Sequence, residues 1–124
     1  MTTTLALTKD KEGISGIINI PVRDVYYFES TYGRTSHIDV YTRSGMYYTM
    51  GTMRYLMDTL NSSGYRFSKG DRSASINLDR VVRVDKFLKT AFFDDSNAGC
   101  MLTNRGYNTL IKELQQVNIS FVMI

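Results

Sequence analysis

Several residue types are scarce in this chain of 124 residues, and each scarcity excludes a class of structure or chemistry. The single cysteine, Cys100, cannot form an internal disulfide, which predicts a cytoplasmic protein in a reducing compartment. One histidine and no tryptophan exclude several common metal and catalytic arrangements, so we expect no cofactor. No apolar run is long enough for a signal peptide or a membrane span.

What the chain does contain points to strands. Nine tyrosines and six phenylalanines favour β-structure, and 43% hydrophobic with 22% charged residues is ordinary for a globular protein. A chain of this length forms one hydrophobic core, so residues 1–124 are expected to be a single domain. Apolar runs or alternation between turn residues predict strands at residues 16–20, 25–29, 37–43, 46–50, 81–84, 87–93 and 100–102.

Two segments have helical periodicity instead. Thr52 is a candidate N-cap for a helix whose apolar residues recur at three and four positions, and residues 61–64, NSSG, end it. A second helix is predicted over residues 104–115, with one apolar face: Tyr107, Leu110, Ile111 and Leu114. Ser44 and Gly45 are predicted as a two-residue hairpin turn. About forty residues of strand pattern separate the helices, which excludes a helix-turn-helix.

Positive charge is concentrated in one part of the chain. Residues 65–89 hold seven arginines and lysines against three aspartates, a net +4, whereas the whole chain carries +3. Within this stretch, FSKGDRSASINLDRVVRV at residues 67–84 places basic residues on a predicted loop just before an apolar strand. A cationic loop held by a sheet edge suits a polyanion such as DNA. Composition alone favours the alternative, an ordinary solvated loop.

The order of these elements resembles a LytTR-type DNA-binding domain. The resembling features are the strand VYYFES at residues 25–30, a hairpin, a short helix, the box RSASIN at residues 72–77, and a basic segment before the last helix. The resemblance covers residues 12–114 and implies a mainly β fold: an elongated arrangement of small antiparallel sheets with two short helices. It also implies a transcription regulator whose loops enter the major groove of double-stranded DNA.

Three loops supply the candidate DNA contacts. The first, residues 31–37, follows VYYFES, and the resemblance places a basic or histidine contact there; the second, residues 68–73, contains the position that matches the family's contact in the box. The third opens the last helix, where the chain is similar to the family's Ser-Arg-x-Tyr element. The candidate DNA-binding residues are Arg34, His37, Lys69, Arg72, Ser73, Asn104 and Arg105.

Chemistry supports these residue types at a DNA surface. Arginine can bind guanine O6 and N7 with two hydrogen bonds, and a helix N-terminus offers backbone N–H groups to a phosphate. His37 has two readings of equal weight, a base contact or a half-exposed residue at a strand start with no role. Asn77, although it belongs to the box, is expected to tie down a turn rather than to read a base.

Other classes of function are weaker or remain open. Asp94 and Asp95 have no neighbouring histidine or glycine-rich phosphate loop in sequence, so an enzyme is not expected. The alternative is a β-rich module that binds a protein or an anionic ligand without DNA sequence specificity, using the same arginines. The resemblance further implies a pair of protomers on direct repeats. Because no receiver domain is recognised in the chain, expression level, a second protein or oligomerisation would control it.

The C-terminal tail, residues 116–124, extends beyond the resemblance. Val117, Ile119, Phe121 and Met123 alternate with mostly polar residues, which predicts a short strand. Two readings stay open. The tail either completes its own sheet, which most strands do, or pairs with a second protomer or a regulatory partner.

Overall fold

The computed structural model describes residues 3–30, 37–68, 73–94 and 99–124, and these residues form ten strands and two α-helices. The elements are β1 (Thr4–Leu7), β2 (Ile18–Pro21), β3 (Val25–Ser30), β4 (His37–Thr42), β5 (Gly45–Met50), α1 (Met53–Ser62), β6 (Ala74–Ile76), β7 (Val81–Asp85), β8 (Thr90–Phe93), β9 (Gly99–Met101), α2 (Asn104–Gln116) and β10 (Val122–Met123). The fold is mainly β, with three small sheets and two helices, as predicted.

The three sheets differ in size and strand order. β1 and β2 form an antiparallel pair, which we call the N-terminal sheet. The central sheet has the order β5-β4-β3-β6 and is antiparallel throughout. The C-terminal sheet has the order β10-β7-β8-β9, in which the β10–β7 pair is parallel. That parallel pair departs from the expectation of antiparallel sheets only.

Strand β3 lies between two hydrophobic clusters, which explains its unbroken apolar sequence. Phe28 packs into one cluster with Ile38 and Val40, whereas Tyr26 and Tyr27 pack into the other and stack against Phe93 at 5.2 and 5.5 Å between ring centroids. A shift in register between residues 25 and 27 lets two consecutive tyrosines reach the same cluster. A strand buried on both faces shows no alternation in sequence.

Local signals position the helices as predicted. The Thr52 hydroxyl accepts a hydrogen bond from the backbone N–H of Tyr55 at 3.2 Å, and α1 buries Met57 and Leu60. Gly64, at φ +96°, follows the end of that helix in the left-handed region that favours glycine. In α2, the Thr103 hydroxyl caps the helix at 3.0 Å from the Gly106 nitrogen. The predicted apolar face of α2 packs into the second cluster, with Tyr107, Leu110 and Leu114 buried and Ile111 partly buried.

Two turns differ from the sequence prediction. The hairpin between β4 and β5 turns at Arg43 and Ser44, and Gly45 already pairs with Thr42. The predicted strand at residues 87–93 begins only at Thr90. Phe87 and Leu88 belong to a turn because the Asp85 carboxylate accepts hydrogen bonds from both of their backbone N–H groups, each at 2.9 Å.

The C-terminal tail completes its own sheet, as the first of the two readings predicted. Ile119 and Phe121 pack against the second cluster, and the two-residue strand β10 then joins β7. The Ile124 N–H donates to the Val84 carbonyl at 2.9 Å, and the Lys86 N–H donates to the Ile124 carbonyl at 3.0 Å. The strand is shorter than the alternation in the sequence indicated.

Candidate nucleic-acid interface

One end of the central sheet brings together the boundaries of two basic segments. Segment 31–36 leaves β3 after Ser30 and returns at the start of β4, where Ser30 pairs with Ile38. Segment 69–72 ends at Ser73, whose carbonyl accepts a hydrogen bond from the Ser30 N–H at 2.8 Å. The two segments, separated by about thirty residues of sequence, therefore meet the sheet at the same edge.

Three of the predicted contact residues lie in these two segments, outside the described residues. They are Arg34, Lys69 and Arg72. Asp71, the sequence neighbour of Arg72, also lies outside the described residues, as do residues 95–98 between β8 and β9.

The base of segment 69–72 is firmly anchored. Ser68 is only 4% exposed; its N–H donates to the Ile76 carbonyl at 2.8 Å, and its hydroxyl donates to the Glu113 carboxylate in α2 at 2.8 Å. The buried Ser75 hydroxyl donates to the Ser68 carbonyl at 2.6 Å. On the other side of the segment, Ser73 is half-buried at the entry to β6. A basic segment with both ends fixed has less conformational entropy to lose when it binds a ligand.

Asn77 has the structural role expected for it. It is 2% exposed, its amide donates to the Val25 carbonyl at 2.9 Å, and its side-chain oxygen accepts from the Asp79 N–H at 3.3 Å. These bonds join the start of β3 to the turn between β6 and β7. Asn77 therefore stabilises the backbone that connects β3 and β6 and does not have the role of a DNA contact.

The His37 side chain is buried, not half-exposed as its place at a strand start suggested, and its contact with DNA stays a prediction. Its side chain is 7% exposed, Nε2 lies 3.4 Å from the Asp39 carboxylate, and its ring meets Tyr48 edge-on at 5.8 Å between centroids. The reason is its place in the sheet. His37 begins β4, an inner strand, and its ring packs against the side chains of Asp39 in the same strand and Tyr48 in β5.

Replacing His37 by alanine is therefore expected to destabilise the fold by about 1–3 kcal/mol, because a buried, packed side chain is lost. Thermal melting followed by circular dichroism measures this as a drop of several degrees in Tm. An unchanged Tm, together with weaker DNA binding, would instead assign His37 to direct contact.

The third candidate site, at the start of α2, is exposed. Asn104 and Arg105 occupy the first turn, and Gly106 and Tyr107 are buried beneath them. Among the described residues, the Arg105 guanidinium has neither an ion pair nor a hydrogen-bond acceptor. An unpaired arginine beside the N–H groups of a helix N-terminus is an arrangement that binds phosphate or a base edge.

The helix sets the spacing between this site and the other two. Glu113 is fixed to Ser68, and Arg105 lies eight residues earlier in the same helix. At 1.5 Å per residue, Arg105 is about 12 Å further along the helix axis. The boundaries of the two basic segments are thus neighbours at one end of the central sheet, and the start of α2 is a separate candidate site.

Comparison with known families gives the class of the protein. The LytTr DNA-binding domain matches residues 15–115 of the 124-residue chain. The chain belongs to the LytTR family. The match covers nearly the same residues as the resemblance seen in the sequence, and a comparison with curated proteins finds no match. LytTR domains bind DNA in transcriptional regulation and are not enzymes.

Some of the positive charge of residues 65–89 is paired with carboxylates inside the LytTR domain. Arg66 forms an ion pair and hydrogen bond with Asp79, and Arg80 pairs with Asp24 and Asp94 at 3.5 and 3.6 Å. Both arginines therefore form ion pairs within the protein. Only part of the run is therefore available for DNA.

Lys89 is a cation that the sequence analysis did not single out, although the charge count included it. Its Nζ lies 4.2 Å from the centre of the Tyr107 ring, and its carbonyl accepts a hydrogen bond from the Leu102 N–H at 2.8 Å. Lys89 therefore adds positive charge next to the first turn of α2. The signal available in the sequence was its place in the charged run; the contact with Tyr107 depends on tertiary structure.

Two further classes of site have no support in the described parts of the chain. No group of three or more histidine, cysteine, aspartate or glutamate side chains could hold a metal ion there. Likewise, no helix within residues 3–30, 37–68, 73–94 and 99–124 is long and apolar enough to cross a membrane.

Proposed function

We propose that this LytTR domain is a sequence-specific transcription regulator whose basic loops enter the major groove of double-stranded DNA. The observation that carries the proposal is the hydrogen bond between Ser30 and Ser73, which brings the boundaries of segments 31–36 and 69–72 to one sheet edge. Loops on a rigid sheet can keep a fixed register against base pairs. The start of α2 supplies a further contact about 12 Å along the helix.

The proposed contact residues have different roles. Arg72 reads a guanine, since its guanidinium can bind O6 and N7 together, and Arg34 and Lys69 bind phosphate. Arg105, with Asn104 beside it, contacts DNA from the first turn of α2. Ser73 is half-buried, directly follows segment 69–72 and precedes β6. Its hydroxyl hydrogen bonds to DNA beside that segment.

His37 enters the proposal as the residue that fixes the return of segment 31–36 into β4, because its side chain is buried against Asp39 and Tyr48. Direct contact between His37 and a base remains an untested prediction. The His37→Ala variant distinguishes these roles. If His37 supports the segment, the variant has a lower Tm; if it contacts a base, only the affinity for DNA falls.

We also propose that two protomers bind neighbouring direct repeats and that a separate protein regulates them. The resemblance to the family supports the first part. Two protomers in the same orientation would each present the same three contact points, so a regular spacing between half-sites is expected. Footprinting of the bound DNA measures that spacing.

Arg105 provides the experiment that tests the DNA surface. Replacing Arg105 by alanine is expected to weaken DNA binding while changing the free energy of unfolding by no more than about 0.5 kcal/mol, because the side chain is exposed. If Arg105 binds a phosphate, the slope of log affinity against log salt falls by about one. Fluorescence anisotropy with a labelled duplex over a salt series measures both quantities.

Arg23 offers a matched control. It is also exposed, but it lies in the short turn of residues 22–24 before β3, at the opposite end of that strand from Ser30. Arg23→Ala removes the same charge and should leave affinity and salt slope close to wild type. If both variants lose affinity equally, binding depends on total charge rather than on the α2 surface, and the proposed contact is rejected.

A further inference from the structure

A cleft lined by both arginine and apolar side chains lies away from the three proposed DNA contact sites. Its volume is about 780 Å³, within the usual range for small-molecule sites. The residues that line it are Tyr26, Arg43, Arg80, Val82, Arg83, Asp94 and Val122. Three arginines and two exposed valines in one cleft combine cationic and apolar surface.

The cleft lies at the ends of strands opposite to the DNA contacts. Arg43 follows β4, and its N–H donates to the Asp24 carbonyl at 2.9 Å, at the start of β3. The six residues of β3 separate that point from Ser30 by about 17 Å. In the C-terminal sheet, Arg80 and Asp94 lie at one end of β7 and β8, whereas Lys89 and the start of α2 lie at the other.

The cleft is also on the other face of the C-terminal sheet from α2. Arg83 pairs with Phe92 on one side and with Val122 on the other, so these three side chains share a face. The opposite face carries Val84 and Ala91, which are buried in the cluster with α2. A ligand in the cleft would therefore contact neither α2 nor its first turn.

Both carboxylates near the cleft are already bound by Arg80. Its guanidinium lies 3.5 Å from Asp24 and 3.6 Å from Asp94, and its Nε donates to the Arg23 carbonyl. Burial of the Tyr26 hydroxyl and then its hydrogen bond to Asp94 raise the pKa of Tyr26, so this phenol stays protonated and donates to the same carboxylate. Asp94, the acidic residue of the lining, and Asp24 nearby are thus already bound by groups of the protein itself.

The other two arginines keep unused hydrogen-bond donors. The Arg83 Nε is buried and has no hydrogen-bond partner among the described residues, and its guanidinium lies 4.3 Å from the centre of the Phe92 ring. Arg43 is exposed and makes no ion pair with the described part of the chain. An arginine without a carboxylate partner keeps charged hydrogen-bond donors that can bind an incoming anion.

We propose that this cleft binds a small organic anion, with a carboxylate or phosphate group held by Arg43 and Arg83. An apolar part of the same ligand packs against Val82 and Val122, whose side chains are 38% and 59% exposed. Guanidinium groups match carboxylate and phosphate geometry with paired hydrogen bonds, and the stacking of Arg83 on Phe92 holds its plane in place. The site is independent of the proposed DNA contacts.

Nuclear magnetic resonance of the ¹⁵N-labelled full chain tests the site directly. The Arg83 Nε–H is shielded from water, so its exchange is slow and its resonance can be followed. The probes are hexanoate, hexyl phosphate, inorganic phosphate and neutral hexanol. We expect saturable shifts of the Arg83 and Arg43 side-chain signals and of the Val82 and Val122 amides with the first two probes, at a Kd of about 1 mM or tighter. Hexanol should give none, and inorganic phosphate should bind more weakly than hexyl phosphate.

Variants make the test specific. Arg43→Gln and Arg83→Gln should each weaken binding by about tenfold or more, because one charge-assisted pair is lost. Arg54→Gln is the matched control, since Arg54 is an exposed arginine in α1, which packs on the other core cluster. Because Arg43 is exposed, its variant remains informative if the Arg83 variant does not fold. A stronger response to hexanoate than to hexyl phosphate identifies a carboxylate ligand, and the reverse identifies a phosphate ester.

Two results would overturn the inference. Shifts that never saturate, or that are equal in the Arg54 and Arg43 variants, indicate a general salt effect. Weaker DNA binding by Arg43→Gln and Arg83→Gln, with a lower salt slope, would make the cleft a DNA-backbone contact instead. That second result leaves the proposed DNA-binding function intact, so the two proposals fail separately.

Discussion

Replacing Arg72 by alanine is expected to weaken binding to the preferred DNA sequence by about 1–3 kcal/mol, or about 5- to 150-fold in Kd. The reason is the loss of a two-bond contact with guanine from a segment whose ends are held by Ser30, Ser68 and the strand β6. On random-sequence DNA the loss should be much smaller, since sequence-independent affinity comes mainly from phosphate contacts. Competition binding with both duplexes at one salt concentration measures the two losses.

Arg72→Lys is the matched control for charge. Lysine keeps the positive charge but lacks the planar fork of the guanidinium, so specificity should fall although binding to random DNA is retained. If Arg72→Ala loses the same free energy on preferred and random DNA, Arg72 contacts phosphate and the base-reading role is rejected.

Deleting residues 120–124 is expected to remove the cooperative thermal unfolding transition. The deletion takes away the Phe121 side chain from the core cluster and both hydrogen bonds that join Ile124 to the β7 edge. It also removes the contact between the Tyr107 hydroxyl and the Met123 sulfur at 3.6 Å. Phe121 is partly buried, and its loss together with two backbone hydrogen bonds costs about 3 kcal/mol, a large part of the 5–15 kcal/mol that typically stabilises a domain. Circular dichroism and calorimetry of the truncated chain measure the effect.

Val122→Ser supplies a comparison that leaves the backbone of β10 in place. Val122 is 59% exposed, so this variant should fold normally. A truncated protein that folds as a monomer but binds DNA less cooperatively would favour the reading in which the tail pairs with another molecule. A truncated protein that folds, self-associates and binds DNA as the full chain does would contradict both readings of the tail.

Much of the fold was predictable because its signals are local. Thr52 and the apolar spacing of α1 and α2 depend on hydrogen bonds and contacts within one or two helical turns. The mainly β character followed from alternation and aromatic content. β1 was missed because it has only four residues and its partner β2 comes after a ten-residue connection, so its pairing leaves no local mark. Phe87 and Leu88 were predicted to lie in a strand because they are apolar. The turn that they form depends on hydrogen bonds to the Asp85 carboxylate, which a pattern of apolar residues does not reveal.

The site was less predictable because it depends on long-range pairing. The sequence placed His37 at a half-exposed strand start, but its burial depends on contact with Tyr48, which lies in the next strand, β5. Likewise, Arg80 contributed to the charged run in sequence, whereas in the fold it is paired with Asp24, which lies 56 residues away. Charge counted along a chain does not distinguish arginines that face a ligand from those that hold the protein together.

Selection of bound sequences from random double-stranded DNA, followed by a Kd measurement on the selected and a shuffled duplex, tests whether the domain recognises a DNA sequence. The proposal of sequence-specific recognition predicts a defined motif and an affinity for the selected duplex at least about 10³-fold tighter at physiological salt. Footprinting should place the protein in the major groove at that motif. Recovery of no common motif, with equal Kd values on both duplexes, would contradict sequence-specific recognition of DNA.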